Sequence, residues 1–359
     1  MKILLGADLV PTENTEQLFV NKDLDKLFGK FKDLPKTVDR FIVNLECALT
    51  EHEGTTKKFG PSLKASPLCA DALKELQVTD VLLANNHVFD FYIKGFLDTM
   101  QNLDRVEIPY TGVGENEELA KKPYIIEQDG IKIGIINTCE HEYSYALPDR
   151  MGTNAFNPFT TMQDIRALRK EVDHLIVCYH GGKEHCRYPS PRLRDLCREM
   201  VNNGADLVVT QHSHCIGCYE EYNGGQIVYG QGNFHFCTNN KSELWTTSLV
   251  LLLDIADKIK IEFIPIISSE SGIDLAEGDR KEEILKAFYA RNEELKNGKW
   301  LEGWKAFCEE QKEAYFYMAT RHPEGSEMRR QMLAHHLDCE AHTDVWREIL
   351  QTWHTTEKY

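Results

Sequence analysis

The stretch VVTQHSHCIG, Val208 to Gly217, passes from a β-branched run directly into two imidazoles, His212 and His214, with two thiols, Cys215 and Cys218, close behind. In an extended chain, residues two apart lie on the same side, about 6 to 7 Å apart at the backbone, so both rings can serve one small region. Comparable endings recur along the sequence. KILLGAD ends on Asp8, RFIVNLE on Asn44 and Glu46, and DVLLANNH on Asn85, Asn86 and His87, with Asp90 just beyond. LIVCYHGGKEH delivers His180 and then Glu184, and YGQGNF places Asn233 after two glycines. A single Asp at a strand end is ordinarily a cap, and a single buried His an ordinary hydrogen-bonded residue. A ligand site in a layered α/β domain forms beyond the carboxyl ends of its strands, which is where all of these groups fall.

Their chemistry is consistent. Carboxylate, imidazole and amide oxygen donors suit a divalent transition metal such as Mn, Zn or Fe. A carboxylate such as Glu46 can bridge two ions roughly 3.5 to 4 Å apart, and a histidine outside the ligand set can protonate a leaving group. The CxxC of Cys215 and Cys218 has no second pair at zinc spacing and falls between strands, so both thiols are expected to be structural. His335 and His336 sit on a predicted C-terminal helix and are expected to be surface or packing residues, far from the strand ends.

The elements that must position these groups are short apolar runs alternating with amphipathic stretches to about residue 265. Continuous apolar runs predict strands buried on both faces, and helices are expected at Ser66 to Leu76, Tyr92 to Leu103, Thr160 to Glu171 and Pro191 to Asn203. The EQDGIK turn joins two strands directly, so part of the sheet is antiparallel. From Ile273 to Tyr359 the sequence turns rich in Glu, Lys, Ala and aromatics at helical spacing. It predicts three or four helices, with no strand, packed on the main domain through Trp and Tyr. The expected organisation is a main domain over residues 1–268 and a helical region over 269–359.

Composition bounds the rest. At 359 residues with 42% hydrophobic and 27% charged side chains, the chain can bury a large core without disulfides. The net charge of −16, with no basic cluster, argues against nucleic acid as a ligand. No apolar run reaches the ~20 residues of a membrane span, and MKILLGADLV reads as a first strand without the features of a signal peptide. The expectation is a cytoplasmic location with no membrane segment; the sequence leaves the oligomeric state open.

The ordered set GAD (6–8), NLECALT (44–50), LANNHVFDF (83–91), YTGVGEN (110–116), HGGKEH (180–185) and GADLVVTQHSHCIGCYEEYNGGQIVYGQGNF (204–234) resembles the calcineurin-like metallophosphoesterase pattern. Within it, the chain is similar to the CapA family of poly-γ-glutamate capsule proteins. The resemblance implies a metallophosphoesterase-like layered α/β/β/α sandwich with mixed sheets, here extended by the C-terminal helices. It implies that Asp8 and His214 serve a first ion with Glu46 bridging, that Asn86, His180 and His212 serve a second, and that His87 is an acid/base held by Asp90. Gly181 and Gly182 would let backbone approach the site, while Lys64, Glu184 and Asn233 would face substrate. The sequence departs from the phosphoesterase pattern where Asp8 is followed by Leu9 and Val10 in place of Asp-x-His, and where Glu46 stands for Asp. One ligand of the first ion is therefore missing, and both one-ion and two-ion sites stay open. The implied activity is metal-dependent hydrolysis or transfer on a γ-glutamyl amide or a phosphorylated substrate. Cleavage of phosphomono- or diesters, and a non-catalytic metal-containing binding protein, are the alternatives.

Overall fold

Strands such as KILLGADL and HLIVCYH carry apolar side chains on both faces, so each must be covered on both sides. The computed structural model, which describes residues 1–320 and 327–351, does this with two sheets stacked face to face and helices outside each. The first sheet has eight strands, in the order Ile273–Leu275, Ile259–Ser268, Thr247–Ile255, Lys2–Leu9, Arg40–Leu45, Asp80–Leu82, Tyr110–Thr111, with Asn233–His235 also paired to Lys2–Leu9. The second has six, in the order Ile216–Tyr222, Gly225–Gln231, Leu207–Gln211, His174–His180, Ile131–Cys139, Tyr124–Gln128. Both sheets are mixed: the first is parallel from Lys2–Leu9 out to its Tyr110–Thr111 edge and antiparallel on the other side, and the second is parallel at the centre and antiparallel at both edges. The EQDGIK turn joins the antiparallel pair Tyr124–Gln128 and Ile131–Cys139, with Asp129 and Gly130 at φ 53 and 78, the left-handed pair of a tight hairpin.

Side-chain alternation sorts each strand between two cores. Ile3 and Leu5, Ile42, Ile133 and Ile135, Ile176 and Cys178, and Leu207 and Val209 fill the layer between the sheets. Phe41, Val43 and Leu45 face the outer core under the N-terminal helices, and Leu175, Val177 and Val208 face the opposite outer core. The polar strand ends continue the inner series. Asn44 follows Ile42, His180 follows Ile176 and Cys178, and Gln211 follows Leu207 and Val209, so all enter the inter-sheet layer where the apolar packing stops. Asp8 would break this parity. A register irregularity between Leu5 and Asp8 returns it to the inner side, leaving Ala7 and Leu9 on the outer core.

The expected helices form at Cys69–Glu75, Tyr92–Arg105, Thr161–Leu168 and Pro191–Asn202. Beyond residue 268 the structure differs from expectation at one place. Ile273–Leu275 is a strand, paired with Ile259–Ser268, because Ser269 and Gly272 close a turn that lays IDL against the sheet edge. Among the described residues four helices follow, Gly278–Asn297, Trp300–Thr320, Glu327–Asp338 and Glu340–Gln351. The expected helical run through 321–326 and 352–359 lies outside the described residues. Leu295, Trp300, Trp304, Tyr315, Val345 and Ile349 join the core on the outer face of the second sheet. Burial of each such side chain is worth about 1.5–3 kcal/mol. This layer brings the last helices back over the strand ends. No helix among the described residues is long and apolar enough to cross a membrane.

Candidate metal centre

Polar groups lock the two sheets together where the inter-sheet core ends. The Gln211 Nε2 donates to the Gly6 carbonyl at 3.1 Å, and the Gln231 Nε2 donates to the carbonyls of Leu5 and Leu249 at 3.0 Å. Just beyond lie Asp8, Asn44, Glu46, His180, His212 and His214, all buried. The Asp8 carboxylate accepts from Asn44 Nδ2 at 2.7 Å and from the His212 amide at 3.1 Å, tying the first sheet to the turn after Leu207–Gln211. Asn85 donates to Asn44 Oδ1 and the Leu45 carbonyl and accepts from the amides of His87 and Val88. It thereby shapes the NNH turn. His212 and His214 both take left-handed backbone, φ 91 and 53. The strand ends at Gln211, and the two rings are presented by a strained turn rather than by continued extension. Such outliers persist where surrounding structure over-determines them.

The donor atoms fall into overlapping groups, each within 4.8 Å: Asp8, Glu46 and His180; Glu46, His212 and His214; Glu140, Glu142 and His212. Glu46 is common to two of these, as a bridging carboxylate requires. The partition differs from the one the resemblance implies, since His180 groups with Asp8 and His212 with His214. The reason is that Asp8 lies between two rings, 3.7 Å from His180 Nδ1 and 3.7 Å from His214 Nδ1. Asn86 Oδ1 is 3.0 Å from His180 Nε2, whose distance to Glu46 Oε1 is 3.3 Å. Asn233, expected to face substrate, instead has its Oδ1 2.8 Å from His214 Nδ1 and orients that ring. Val10, where the phosphoesterase pattern places a histidine, packs into the outer core, and no other residue of the first strand takes that ligand position.

Several buried atoms here make no hydrogen bond: both carboxylate oxygens of Glu46, Glu140 Oε2, Glu142 Oε2 and His212 Nδ1. An unsatisfied buried polar group costs about 1–3 kcal/mol, more if charged, so this concentration of lone pairs fits a cation. The electrostatics agree. Burial raises the Asp8 carboxyl to about 6 and the Glu46 carboxyl to about 8. Burial lowers His180 to about 4 and His212 to about 3, leaving both rings neutral near pH 7, the form that binds metal. Burial opposes a charge on His214, yet Glu46 and Asp8 hold it above its ordinary value.

Two acidic residues of this cluster escaped the sequence analysis. Glu140 and Glu142 follow Ile131–Cys139, and Glu142 is 3.6 Å and Glu140 3.8 Å from His212 Nε2. The signal was present, since in INTCEHE the acidic pair begins where the strand stops, at Cys139. The glycines behave as the resemblance implies at one point. A Cβ on Gly181 would stand 2.9 Å from Glu140 Cδ, and Gly182, at φ 108, donates its N–H to Glu140 Oε1 at 3.3 Å.

Beside the cluster is a cavity of about 410 Å³ whose walls include Asn86, His87, Glu142 and Glu184. His87 Nδ1 is 2.7 Å from Asp90 Oδ2, which also accepts from the Leu63 amide at 2.7 Å. The third partner is Lys58, missed in the sequence: its ammonium pairs with Asp90 Oδ1, both side chains essentially inaccessible. Glu184 lines the cavity; burial opposes its ionisation, but Lys183, His212 and His214 hold it down to about 2. Lys64 lies elsewhere. Its ammonium bonds the His52 carbonyl and Glu53 and lines a neighbouring cavity with Glu16 and Phe91. The lysine that faces the candidate site without an ion-pair partner among the described residues is Lys183.

His335 and His336, expected away from the strand ends, line this same cavity. The helix Glu327–Asp338 is folded back over it by packing that helical periodicity alone does not specify. Cys215 and Cys218 are buried free thiols, as expected of structural residues.

The comparisons with known proteins bear on this arrangement. A capsule biosynthesis protein CapA from Bacillus anthracis is 30% identical over 180 residues, 48% of this chain and 44% of its own. A PGA biosynthesis protein CapA from Bacillus subtilis (strain 168) is 26% identical over 236 residues, 64% of this chain and 62% of its own. The chain thus spans about two-fifths to three-fifths of the length of these relatives. Among solved structures, a 5'-nucleotidase precursor from Thermus thermophilus aligns at a TM-score of 0.44 and 14% identity, over 80% of this chain and 58% of its own. Residues 2–238, which carry every strand-end residue described above, match the bacterial capsule synthesis protein PGA_cap, and the chain belongs to that family.

Proposed function

We propose that this chain is a metal-dependent enzyme that hydrolyses or transfers at a γ-glutamyl amide during synthesis or processing of a poly-γ-glutamate polymer, using one or two Mn, Zn or Fe ions at the strand ends. One observation carries the metal: Glu46 holds two buried, unpartnered oxygens among Asp8, His180, His212 and His214. Family membership supports the polymer. Bound there, a divalent cation would supply Lewis acidity toward a carbonyl or phosphoryl oxygen and a more acidic water.

The chain's own groups do the rest. Asp90 accepts the Nδ1 proton of His87, which leaves the Nε2 lone pair to take a proton from the attacking water and then pass it to the departing nitrogen. Lys58 neutralises Asp90, so that dyad carries no unpaired buried charge. Lys183, on the cavity wall, offers a cation to a substrate carboxylate, and Asn86 and Glu142 stand in both the metal cluster and the cavity wall. Cleavage of phosphomono- or diesters is the second reading. It is favoured by the same His87–Asp90 pair, which serves an oxygen leaving group equally well, and by Lys183 facing a phosphoryl oxygen.

The test is elemental analysis of the purified protein together with a panel of γ-glutamyl peptides and aryl phosphoesters, with Mn²⁺ present. γ-Glutamyl cleavage or transfer, lost in His87→Ala, supports the first reading, and phosphoester turnover alone supports the second. A metal-bound protein silent toward both panels would be a binding protein, and a metal-free one that binds ligand unchanged after Asp8→Asn would overturn every metal-dependent reading.

A further inference from the structure

The C-terminal helices carry a second set of metal-ligand residue types that the strand-end reading does not use. In HHLDCEAH, residues 335–342, His335, Cys339 and His342 are spaced i, i+4 and i+7, which puts them on one helical face. The chain passes from Glu327–Asp338 into Glu340–Gln351 at Cys339 with helical bonding preserved across the join, the Cys339 amide donating to the His335 carbonyl at 2.9 Å. One donor atom from each of the three lies within 4.8 Å of the others.

Their surroundings are those of ligands rather than of satisfied packing residues. The His335 side chain is 10% exposed, and neither ring nitrogen makes an aligned hydrogen bond. Its Nε2 is 2.7 Å from Glu142 Oε1, an ion-pair contact that brings the imidazole and the carboxylate side by side. The Cys339 thiol is buried, 3.6 Å from Glu140 Oε1. His342 Nδ1 is 2.6 Å from the Tyr315 hydroxyl, which fixes the ring and leaves Nε2 free, the arrangement usual for a metal-bound histidine. His336 stacks on His342 at 3.9 Å and holds its plane. Two imidazoles, one thiolate and a carboxylate suit zinc, which takes four nitrogen, sulfur or oxygen donors.

We propose that His335, Cys339 and His342, with Glu142 as a fourth donor, form a separate zinc-type site that fastens the C-terminal helices to the wall of the candidate active cavity. Glu142 would then link the two centres, its Oε2 3.6 Å from His212 and its Oε1 on His335. A loaded site would fix the helix that roofs the cavity, coupling metal supply to access for substrate.

The proposed site is distinguishable from the strand-end centre, whose donors are all nitrogen and oxygen. Cobalt(II) substitution of the full-length protein separates them, because only a site with sulfur gives a thiolate-to-cobalt charge-transfer band in the near ultraviolet. The expected result is that band in the wild type, retained in Glu46→Gln and abolished in Cys339→Ser, with His342→Gln weakening cobalt binding at this site at least tenfold. A wild-type spectrum without the band decides against the proposal even if a variant fails to fold. Cobalt-loaded wild type lacking the band, or a band that survives Cys339→Ser, would overturn the proposal.

Discussion

Replacing Glu46 by Gln should stabilise the metal-free protein and destabilise the metal-loaded one, a reversal that few substitutions produce. The Glu46 carboxyl is fully buried and raised from 4.5 to about 8. Between those values the folded state binds more protons at this site than the unfolded state, so metal-free stability falls as pH rises through that window. At pH 7.5 the penalty is about 4 kcal/mol, from about 3 units at 1.36 kcal/mol each. Gln is neutral throughout and escapes it. With 359 residues, at about 2.1 cal/mol/K of unfolding entropy each, 4 kcal/mol corresponds to roughly 5 °C.

The clean window is pH 6.5 to 8. Below it, His180 and His212, lowered to about 4 and about 3, make stability rise with pH, while Asp8 at about 6 opposes them. Within it, His214 adds to the downward slope, since Glu46 helps to hold it up, and Glu46→Gln removes much of both contributions. A cation requires the ionised carboxylate, and binding at about 10⁴ times Kd adds about 5.4 kcal/mol to the wild type, more than the protonation penalty. Thermal unfolding in chelator and in Mn²⁺ across this range therefore predicts Glu46→Gln above wild type without metal and below it with metal. A variant less stable than wild type in chelator, or a wild type indifferent to chelator, would refute the reasoning.

His87→Asn should lower turnover by about 10²–10⁴ while leaving metal content unchanged, which elemental analysis and steady-state kinetics check together. Lys58→Met leaves Asp90 buried with two remaining donors and should cost up to about 3–5 kcal/mol; adding Asp90→Asn should restore part of that in denaturant unfolding. His235, buried between Phe19 and Phe28 and lowered by burial to about 4, must be charged at low pH, so stability is lost as pH falls from 6.5 toward 4. His235→Phe should remove about 3 kcal/mol of that acid loss, read as a flatter acid limb of the melting curve.

The site was legible where chain geometry is short-ranged. Strands buried on both faces are apolar runs, and the first polar residue after each run marks its end, which exposes Asp8, Glu46, Asn86, His180, His212 and His214 without any tertiary information. Glu140 and Glu142 obey the same rule, but the polar loop that follows hid them because the strand was expected to stop one residue early, at Thr138. Lys58 was not legible: EHEGTTKKFG has no period, and only the folded loop carries its ammonium to Asp90. Lys64, a better motif match, went to a neighbouring cavity for the same reason. His335 and His336 show the limit most plainly. Periodicity predicts their helix, whereas its return over the strand ends depends on packing of Trp304, Tyr315 and Val345 against the second sheet, a long-range outcome.

The central claim is that the strand ends hold a divalent cation on Glu46. Anomalous scattering from a crystal soaked in Mn²⁺, collected at the manganese edge, tests it most directly. A peak within coordinating distance of the Glu46 carboxylate, flanked by Asp8 and the histidines and absent in Glu46→Gln, is the predicted result. No peak there, with the Glu46 oxygens hydrogen-bonded to ordered water, would contradict it.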